Sequence, residues 1–581
     1  MALFDFDESS LLGDVVSVNT RKVLINVESS RLKSARVGRL VAIKVPGAIE
    51  EWLISIIEKV MKTSLDEDGI DNDRSGSIDD ELLSDKNQDR IAPDKNSVIV
   101  SLVGTVKAKE GTKENIFSRS ILDLPDIEAS CYTLEGKHLE KFMGIISSTS
   151  KGEHALDIGH YTLDLKARAY LDGNRFFQRH AALLGSTGSG KSWTVATILE
   201  KAAKLPSSNL IVFDLHGEYR KLSYAKQLRI AGPDDLDKTD ESILFLPYWL
   251  LNSEEMQAMF IDRSEFSAHN QVMAFQDIVT LKKKEILIRE KKNDVLNSFT
   301  IDSPVPFSLD EVVSELSNLN EEMDQGARGL KQGKFFGQFS RLLVRIKSRI
   351  NDKRYGFLFK GPDAWQRYDA LHKIAELLMG FSDGNNIKVI DFSEVPADVR
   401  PIIVGLVARI IYQIQFWKDD EKRQPLAFIC DEAHLYLPKK SDTNPNEKRA
   451  LENFEKIAKE GRKYGVALLV ISQRPSDVSE TILSQCNNVI ALRLTNSTDQ
   501  AVVKKLMPES LEAFMDILPI LDTGEGLVVG DSVLLPTRIK ILVPKETPES
   551  ATINFWDEWN KNDVTQDLLK AVENMRRQSR R

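Results

Sequence analysis

A glycine-rich loop joins an apolar segment to a helical pattern before residue 200. Residues 181–185 read AALLG, residues 185–192 read GSTGSGKS, and the helix candidate WTVATILEKAAK follows. A strand, a glycine-rich loop and a helix in this order are typical of a P-loop, in which backbone N–H groups surround phosphate oxygens and the helix N-terminus stabilises their charge. The alternative, a glycine-rich turn without a ligand, is disfavoured by the complete motif. The sequence therefore predicts an α/β domain with a phosphate site.

The residues of this loop are expected to bind ATP and Mg²⁺. Lys191 should contact the β- and γ-phosphates, and the Ser192 hydroxyl should bind Mg²⁺. The expected nucleotide-binding residues are Gly185, Ser186, Thr187, Gly188, Ser189, Gly190, Lys191 and Ser192. ATP and Mg²⁺ are the cofactors that this motif predicts.

A second motif follows the apolar segment PLAFIC, which ends in Asp431-Glu432-Ala433-His434. An aspartate at the end of a strand can hold Mg²⁺ through water, and the adjacent glutamate is placed to orient or deprotonate an attacking water. The alternative is an acidic strand end at a solvated loop. Together with an intact P-loop, the pattern favours Asp431 as a metal ligand and Glu432 as a general base.

A polar residue also ends the next apolar segment, VALLVIS, which leads into Gln473. Ligands bind in α/β sheets at the carboxyl ends of the strands, so a polar side chain there can sense the γ-phosphate or the attacking water. An ordinary strand exit is the alternative. Gln473 is therefore a candidate sensor of the bound nucleotide.

Several continuous apolar segments alternate with helical patterns after residue 180, which predicts a mostly parallel sheet covered by helices on both faces. The predicted strands are 181–185, 209–214, 387–392, 425–431, 466–472 and 488–494. Between Trp249 and Met379 no such strand is expected, and the apolar residues recur at helical spacing. We therefore expect a helical subdomain inserted in the sheet domain.

Short segments rich in Val, Ile and Thr occupy the N-terminal part of the chain and predict a small β-barrel that fills most of residues 1–150. An acidic insertion, 64–96, interrupts them with eleven acidic and four basic side chains, a local charge of -7. Asp71, Asp73, Ser75 and Gly76 match part of a calcium-binding loop, but Leu82 stands where a bidentate carboxylate is required. The insertion is interpreted as a solvated loop rather than a calcium site.

Net charge and cysteine content restrict the partners and the compartment. The net charge is -9, and most of it comes from the acidic insertion, so the rest of the chain is compatible with a polyanionic partner. Cys131, Cys430 and Cys486 lack the paired spacing of a zinc site, and a reducing cytoplasm is expected. The sequence favours neither a secretory signal nor a membrane span.

Taken together, the motifs resemble those of HerA-type ATPases, a hexameric, ring-forming type in the group that includes FtsK-like and conjugative DNA pumps. The resemblance extends from about residue 10 to 545 and is weakest in the helical insertion and the acidic stretch. The combination of HGEY with EGRKYG and SQRPS is more specific than the P-loop. The matching stretches, in order, are RHAALLGSTGSGKS, LIVFDLHGEYR, RINDKRYGFLF, FICDEAHLYLP, EKIAKEGRKYGVALLVISQRPSDVSETILSQCNNVIALRLTNSTDQ and GEGLVVGDSVLLPTRIKI.

The resemblance implies roles for individual residues. It places Lys191 and Ser192 at the phosphates and Mg²⁺, Asp431 at the metal, Glu432 as the catalytic base and Gln473 as the nucleotide sensor. In ring ATPases an arginine from the neighbouring subunit stabilises charge on the transferring phosphoryl group. Two arginines are candidates for that role, although either is compatible with a surface or packing position: Arg462, in EGRKYG, and Arg179, just before the P-loop strand.

Four regions are expected in the chain. An N-terminal β-barrel occupies 1–150, a RecA-like ATPase domain occupies 151–248 and 380–545, and a helical insertion occupies 249–379. The C-terminal residues, 546–581, begin with aromatic side chains and end in a basic amphipathic helix. This tail is expected to brace a neighbouring subunit, to dock a partner or to pack on its own domain.

The resemblance implies a cytoplasmic ATPase that forms a homohexamer and threads or remodels duplex DNA. Its implied partner is a nuclease or a sirtuin-like effector encoded beside it, in DNA-end processing or in antiphage defence. Lys439, Lys440 and the segment 281–292 are the basic candidates for DNA contact. Two alternatives are an RNA helicase of the DEAH group, which is disfavoured because no second RecA-like half follows, and an ATP-gated scaffold that activates an effector without moving DNA.

Overall fold

The computed structural model divides into two compact units. Unit 1 comprises residues 1–173 and 495–541, and unit 2 comprises residues 174–494 and 542–581. The structure describes residues 3–46, 51–63, 95–108, 115–119, 121, 123–150, 154–162, 164–238, 240–326, 329–380, 386–442, 445–507, 509–533, 535–549, 554–561 and 567–578. The partial calcium-loop motif and nearly all of the acidic insertion lie outside the described residues.

The strands, numbered in chain order, are β1 Leu11–Val18, β2 Lys22–Val27, β3 Leu40–Val45, β4 Glu51–Thr63, β5 Lys95–Ala108, β6 Asn115–Ser118, β7 Ser130–Thr133, β8 Ala155–Tyr161, β9 Asp164–Asp172, β10 Ala181–Leu184, β11 Leu210–Asp214, β12 Ala225–Ile230, β13 Ile243–Leu244, β14 Met323–Gly326, β15 Gly329–Gln332, β16 Ile387–Asp391, β17 Leu426–Cys430, β18 Val466–Ser472, β19 Asn488–Leu492, β20 Glu525–Gly530 and β21 Thr537–Ile541.

The α-helices are α1 Gly136–Ser150, α2 Gly173–Gln178, α3 Lys191–Ala202, α4 Ser253–Phe260, α5 Ala268–Arg289, α6 Asn293–Leu296, α7 Leu309–Glu321, α8 Ser340–Asn351, α9 Gly356–Phe359, α10 Ala370–Met379, α11 Arg400–Trp417, α12 Pro445–Glu460, α13 Glu480–Leu483, α14 Ser497–Lys505, α15 Phe555–Trp559 and α16 Leu568–Arg577. No helix in the described part of the chain combines the length and apolar character that crossing a membrane requires.

Six strands of unit 1 close into a small barrel. Going around it, β1 pairs with β2, β2 with β5, β5 with β4, β4 with β3, β3 with β7, and β7 with β1, and every pair is antiparallel. Alternate side chains of each strand point inward and fill the interior. The interior cluster contains Leu12, Val15, Val23, Ile25, Val41, Ile43, Leu53, Ile57, Val98, Val100 and Cys131. The N-terminal β-barrel is therefore confirmed.

Unit 1 also contains a second, antiparallel group of strands. β20 pairs with β21, β21 with β8, and β8 with β9. The sequence-based boundaries assigned 151–173 and 495–541 to the ATPase domain, whereas the compact units group both segments with the barrel. These segments supply β8, β9, β20 and β21, which pair antiparallel in the order β20-β21-β8-β9.

Unit 2 is built on a parallel sheet of eight strands in the order β13-β12-β16-β11-β17-β18-β10-β19. The registered neighbours among them all run parallel. Every residue of β10, β11, β16, β17, β18 and β19 is buried, as expected for strands covered on both faces. The carboxyl ends of these strands meet at one edge, where α/β proteins bind ligands.

Helices α4 to α10 form the insertion between β13 and β16. Within it, the structure corrects one expectation. β14 and β15 form a short antiparallel hairpin within the segment between Trp249 and Met379, where no apolar strand was expected. All four residues of β15 are exposed, so the hairpin carries no apolar pattern that the sequence would reveal.

A buried ion pair fastens the insertion to helix α11. Arg409 Nε donates to Glu255 Oε1 at 2.9 Å, and another guanidinium nitrogen donates to Glu255 Oε2 at 2.7 Å. The same guanidinium donates to the Leu250 carbonyl oxygen at 2.7 Å. Because the two charges are buried and geometrically matched, this pair fixes the start of α4 against the sheet domain.

Candidate nucleotide-hydrolysis site

The P-loop leaves the carboxyl end of β10 and enters α3. Leu184, the last residue of β10, is the register partner of Ser472 in β18 and of Ala491 in β19. Gly188 and Gly190 have φ angles of 73° and 102°, in a region that side-chain-bearing residues avoid. The two glycines allow the loop to turn over the N-terminus of α3, where anions are stabilised. The other predicted loop residues on this turn are Gly185, Ser186, Thr187, Ser189, Lys191 and Ser192.

The Lys191 side chain is buried and folds back over the loop. Its Nζ donates a 3.2 Å hydrogen bond to the Ser186 carbonyl oxygen. Burial lowers the pKa of Lys191, and the carboxylates of Glu432 and Asp431 oppose that change. An ammonium group in this position is available to phosphate oxygens, which form stronger, charge-assisted hydrogen bonds than a carbonyl.

Asp431 emerges from the carboxyl end of β17 and is buried. Burial raises the pKa of its carboxyl group well above the ordinary value, and the neighbouring carboxylates of Glu432 and Glu218 raise it further. The Glu432 backbone N–H donates a 3.0 Å hydrogen bond to Asp431 Oδ1. A divalent cation bound beside Asp431 would favour the ionised form of this carboxyl group and offset the repulsion from its two neighbours.

Glu432 adopts an unusual backbone conformation. Its φ and ψ are both 45°, in the left-handed region that non-glycine residues rarely occupy. Such strain persists where the surrounding structure enforces it, and it clusters at active sites. Burial raises the pKa of the Glu432 carboxyl group, whereas Lys191 acts in the opposite direction. Among the described residues, Glu432 Oε2 accepts no hydrogen bond.

The strand between the P-loop strand and the Asp431 strand carries Gln473. β18 pairs with β10 on one side and with β17 on the other, so its end lies between the P-loop and the acidic pair. The Thr187 hydroxyl donates a 2.6 Å hydrogen bond to Gln473 Oε1. The structure thus brings Lys191, Glu432 and Gln473 to one edge of the sheet.

The loop after β11 is a further part of this site to which the sequence analysis gave no role. Asp214 Oδ1 accepts hydrogen bonds from the backbone N–H groups of Gly217 and Glu218 at 2.7 and 3.0 Å, and Oδ2 accepts one from Tyr219 at 3.0 Å. These bonds fold the HGEY segment so that Glu218 raises the pKa of both Asp431 and Glu432. The signal was available, because Asp214 ends an apolar strand as Asp431 does.

The donor set fits Mg²⁺. Ser192, Asp431 and Glu218 supply hydroxyl and carboxylate oxygens, the ligands that Mg²⁺ prefers, directly or through water. Glu218 Oε2 is buried and accepts no hydrogen bond among the described residues. The mutual repulsion of the carboxylates, seen in the raised pKa of Asp431, would be offset by a divalent cation.

The two arginine candidates lie at the opposite edge of the sheet. Arg462 precedes β18 and Arg179 precedes β10, whereas the nucleotide residues follow these strands. β18 has seven residues, a length of about 20 Å at the usual rise per residue. Both arginines are exposed, so the structure does not bring either one to the P-loop of its own subunit.

His180, which follows Arg179, packs against the segments on either side of Arg462. The His180 ring accepts a 3.0 Å hydrogen bond from the Leu468 backbone N–H and lies 3.0 Å from the Ala458 carbonyl oxygen through its other nitrogen. Burial lowers the pKa of His180, and the charge of Arg462 lowers it further. Arg179 and Arg462 are both exposed, and they precede two neighbouring strands, β10 and β18.

The basic candidates for nucleic-acid contact separate into two kinds. Lys283 in α5 is fully buried and donates to the carbonyl oxygens of Ile301 and Ser303 at 2.6 and 2.7 Å, so it is structural. Lys440 is exposed, but its Nζ lies 2.9 Å from Glu455 Oε2. Lys439, in the loop after Glu432, is partly exposed and belongs to no ion pair among the described residues.

Two family models match the chain. The model for the central domain of helicase HerA matches residues 156–411, and the model for the HerA-like helicase C-terminal domain matches residues 402–534. Together they span residues 156–534, well over half of the chain. The matched region contains the P-loop, Asp431, Glu432 and Gln473.

Individual relatives have low sequence identity to the chain but match it over about two thirds of its length or more. The chain is 26% identical over 468 residues to the DNA double-strand break repair helicase HerA of Pyrococcus furiosus, covering 73% of this chain and 78% of that protein. It is 28% identical over 398 residues to the protein of the same name from Sulfolobus acidocaldarius, covering 66% and 68%. Among solved structures, VirB4 of Thermoanaerobacter pseudethanolicus is 18% identical, with a TM-score of 0.45, and covers 69% of this chain and 98% of that one.

Proposed function

The chain belongs to the HerA family of P-loop ATPases, and from this premise we propose that it is an ATP-driven ring motor that acts on duplex DNA. The observation that carries the proposal is the convergence of Lys191, Glu432 and Gln473 at the carboxyl edge of one parallel sheet. A site that only binds nucleotide has no chemical need for a general base beside the metal-binding aspartate.

The residues of the site divide the work of hydrolysis. Lys191 exchanges its bond to the Ser186 carbonyl for the β- and γ-phosphates of ATP, and the N-terminus of α3 adds favourable charge. Glu432 orients the attacking water and accepts its proton. Mg²⁺, held by Ser192 and Asp431, would neutralise phosphate charge. The Gln473 amide, already bonded to Thr187, is placed to respond to the γ-phosphate.

We further propose that the active site is completed between subunits of a homohexamer. Arg462 and Arg179 lie at the amino edge of the sheet and the P-loop lies at the carboxyl edge, so either of these two arginines would reach a nucleotide only from another subunit. A head-to-tail contact that brings one edge to the other generates a closed ring when the rotation closes. The transferring phosphoryl group is then stabilised in trans.

Duplex DNA would pass through the central channel of this ring. The loop after the catalytic base, with Lys439 and Lys440, is the proposed contact with the phosphate backbone, because six copies together provide a basic track. We propose that the protein acts in the cytoplasm. Its partner there would be a nuclease or a sirtuin-like effector, in DNA-end processing or antiphage defence. The two HerA relatives, which are known as DNA double-strand break repair helicases, support the first of these roles.

The experiment separates a DNA motor from an ATP-gated scaffold. ATPase rate and DNA affinity are measured for the assembled ring, alone and with the product of the neighbouring effector gene, with and without blunt duplex DNA, across a range of salt concentrations. A motor shows DNA-stimulated hydrolysis and an affinity that falls steeply with salt and depends little on base sequence.

The Glu432→Gln ring is the control, because it should bind DNA and nucleotide without turnover. The motor proposal is overturned if added DNA does not change the ATPase rate and added salt does not change the DNA affinity. Both results must hold for the wild-type ring alone and for its complex with the partner. Hydrolysis that responds to the effector instead would establish the scaffold.

A further inference from the structure

The imidazole of His434 lies between the catalytic carboxylate and the neighbouring strand. His434 Nδ1 is 3.3 Å from Glu432 Oε2 and 3.4 Å from Ser472 Oγ. The side chains of His434 and Glu432 are only 10% and 14% exposed, so water competes little for this contact. Ser472 is the last residue of β18 and directly precedes Gln473.

The carboxylate of Glu432 needs an external restraint. The left-handed backbone fixes where its side chain begins, but three rotatable bonds remain, and Oε2 accepts no hydrogen bond among the described residues in this conformation. Hydrogen bonds of catalytic groups are commonly long or poorly aligned without substrate and tighten when the reacting complex forms. At 3.3 Å, a small rotation of either side chain completes a bond from Nδ1 to Oε2.

The protonation of the ring determines what this contact does. Burial lowers the pKa of His434, so the ring is neutral and carries its proton on one nitrogen. With the proton on Nδ1, the ring donates to Glu432. Ser472 Oγ, which faces the same nitrogen at 3.4 Å, accepts a 3.0 Å hydrogen bond from the Arg474 backbone N–H, and this bond fixes the position of the hydroxyl beside the imidazole.

The same strand end also senses the P-loop. Gln473 accepts the hydrogen bond from Thr187, and Ser472 contacts His434 one residue earlier. A change at Thr187 that shifts the end of β18 would therefore move the His434 imidazole. The imidazole would in turn change the orientation of the Glu432 carboxylate. The chain of contacts runs from the phosphate loop to the general base through two adjacent residues.

We propose that His434 is a positioning residue, which holds the Glu432 carboxylate through Nδ1 and couples its orientation to the strand that carries Gln473. This inference rests on the role of Glu432 as general base in the proposed function. It does not depend on DNA translocation, because it concerns the hydrolytic step alone.

The test uses DNA-independent ATP hydrolysis by the full-length protein, with kcat and KM measured separately and nucleotide affinity measured with a fluorescent ATP analogue. His434→Ala should lower kcat about tenfold, less than Glu432→Gln, and leave KM and affinity within about twofold, because only orientation in the transition state is lost.

Two amide variants distinguish positioning from packing. The amide nitrogen of asparagine reaches the position of Nδ1, and that of glutamine reaches the position of the other ring nitrogen. His434→Asn should therefore recover most of kcat, whereas His434→Gln should remain close to His434→Ala. His372, an exposed histidine in α10, provides the matched control, and His372→Asn should change nothing.

A kcat for His434→Ala within twofold of wild type overturns the proposal, and so does equal recovery by asparagine and glutamine. If the alanine variant fails to fold, the comparison of the two amides still decides the question. A wild-type enzyme that hydrolyses ATP without responding to DNA would refute the motor while leaving this test intact. Full activity in Glu432→Gln would exclude Glu432 as the general base and would therefore also exclude the proposed role of His434.

Discussion

Thr187 in the P-loop donates a 2.6 Å hydrogen bond to Gln473 Oε1 at the carboxyl end of β18. The bond joins the loop that holds the phosphates to the strand that lies between the two motifs. A γ-phosphate that attracts the Thr187 hydroxyl would release the Gln473 amide. Gln473 would then have one arrangement with nucleotide bound and a different one without it.

Replacing Gln473 should therefore impair turnover more than binding. We expect Gln473→Ala to lower kcat about ten- to a hundredfold, the range for loss of one oriented polar group, with ATP affinity changed by less than about threefold. Gln473→Glu keeps an acceptor for Thr187 but adds a charge that repels phosphate, so it should be equally slow. Gln178→Ala, at an exposed position, is the control. Wild-type kcat in Gln473→Ala would exclude a sensing role.

The P-loop lysine and the general base should fail in different ways. Lys191→Ala should weaken nucleotide binding, since it removes a contact made to the bound phosphates. Glu432→Gln should keep binding and lose turnover by about a hundredfold or more, because only a transition-state role is removed. Equilibrium binding and steady-state hydrolysis, measured on the same preparations, separate the two. Unchanged hydrolysis in Glu432→Gln would contradict the assignment of the base.

The acid side of the pH profile should reflect the environment of Glu432. Burial raises the pKa of this carboxyl group above its ordinary value of 4.5. A general base works only when it is ionised, so kcat should be complete above the raised pKa and should fall as pH drops through it. The fall should therefore begin at a higher pH than for an exposed glutamate. Stopped assays at saturating ATP between about pH 4 and 8 test this, and the residual rate of Glu432→Gln should lack this limb.

The arginine that completes the site should act from a second subunit. Arg462→Ala and Glu432→Gln proteins are each expected to be inactive, but mixed rings should regain part of the activity, because some interfaces then contain both intact groups. Lys463→Ala, one residue away, is the matched control for Arg462→Ala. A strictly monomeric active protein, with a rate linear in its concentration, would contradict this arrangement.

Much of the sheet domain could be predicted because its strands are continuous apolar runs. β10, β11, β17, β18 and β19 each lie within one or two residues of the expected bounds, since complete burial makes nearly every position in them apolar. The P-loop followed equally directly from its glycines. The order of the strands did not, because it depends on crossover connections that carry no local signal.

Other parts could not be read from the sequence for identifiable reasons. The sequence of β4 lacks an alternating apolar pattern. Its register with β5 shifts at Ile54/Ser55 and again at Ile57/Lys59, and each shift changes which side of the strand is buried. The contact of His434 with Glu432 depends on the left-handed backbone conformation of Glu432, which cannot be predicted from the presence of a glutamate. The strand-end position of Asp214 is visible in the sequence, but the approach of Glu218 to Asp431 is not, because it depends on a loop that the Asp214 carboxylate folds by accepting backbone N–H groups.

Lys439 and Lys440, which follow Glu432 in the chain, should contribute unequally to DNA binding. Lys440 is paired with Glu455, which also accepts a 3.2 Å hydrogen bond from Ser479, whereas Lys439 belongs to no ion pair among the described residues. Lys439→Ala should weaken binding and reduce the slope of log affinity against log salt by about one unit for each phosphate that the variant no longer neutralises, without changing sequence preference. Lys440→Ala should have a smaller effect.

Releasing Lys440 from its partner should have the opposite effect on DNA binding. Glu455→Gln keeps the acceptor for Ser479 but removes the charge that holds Lys440, so it should strengthen binding and steepen the salt dependence. Fluorescence anisotropy with one duplex over a salt series compares this variant with the two lysine variants. Equal effects of the two lysine changes would contradict their unequal roles, and no effect from either would place the DNA contact elsewhere.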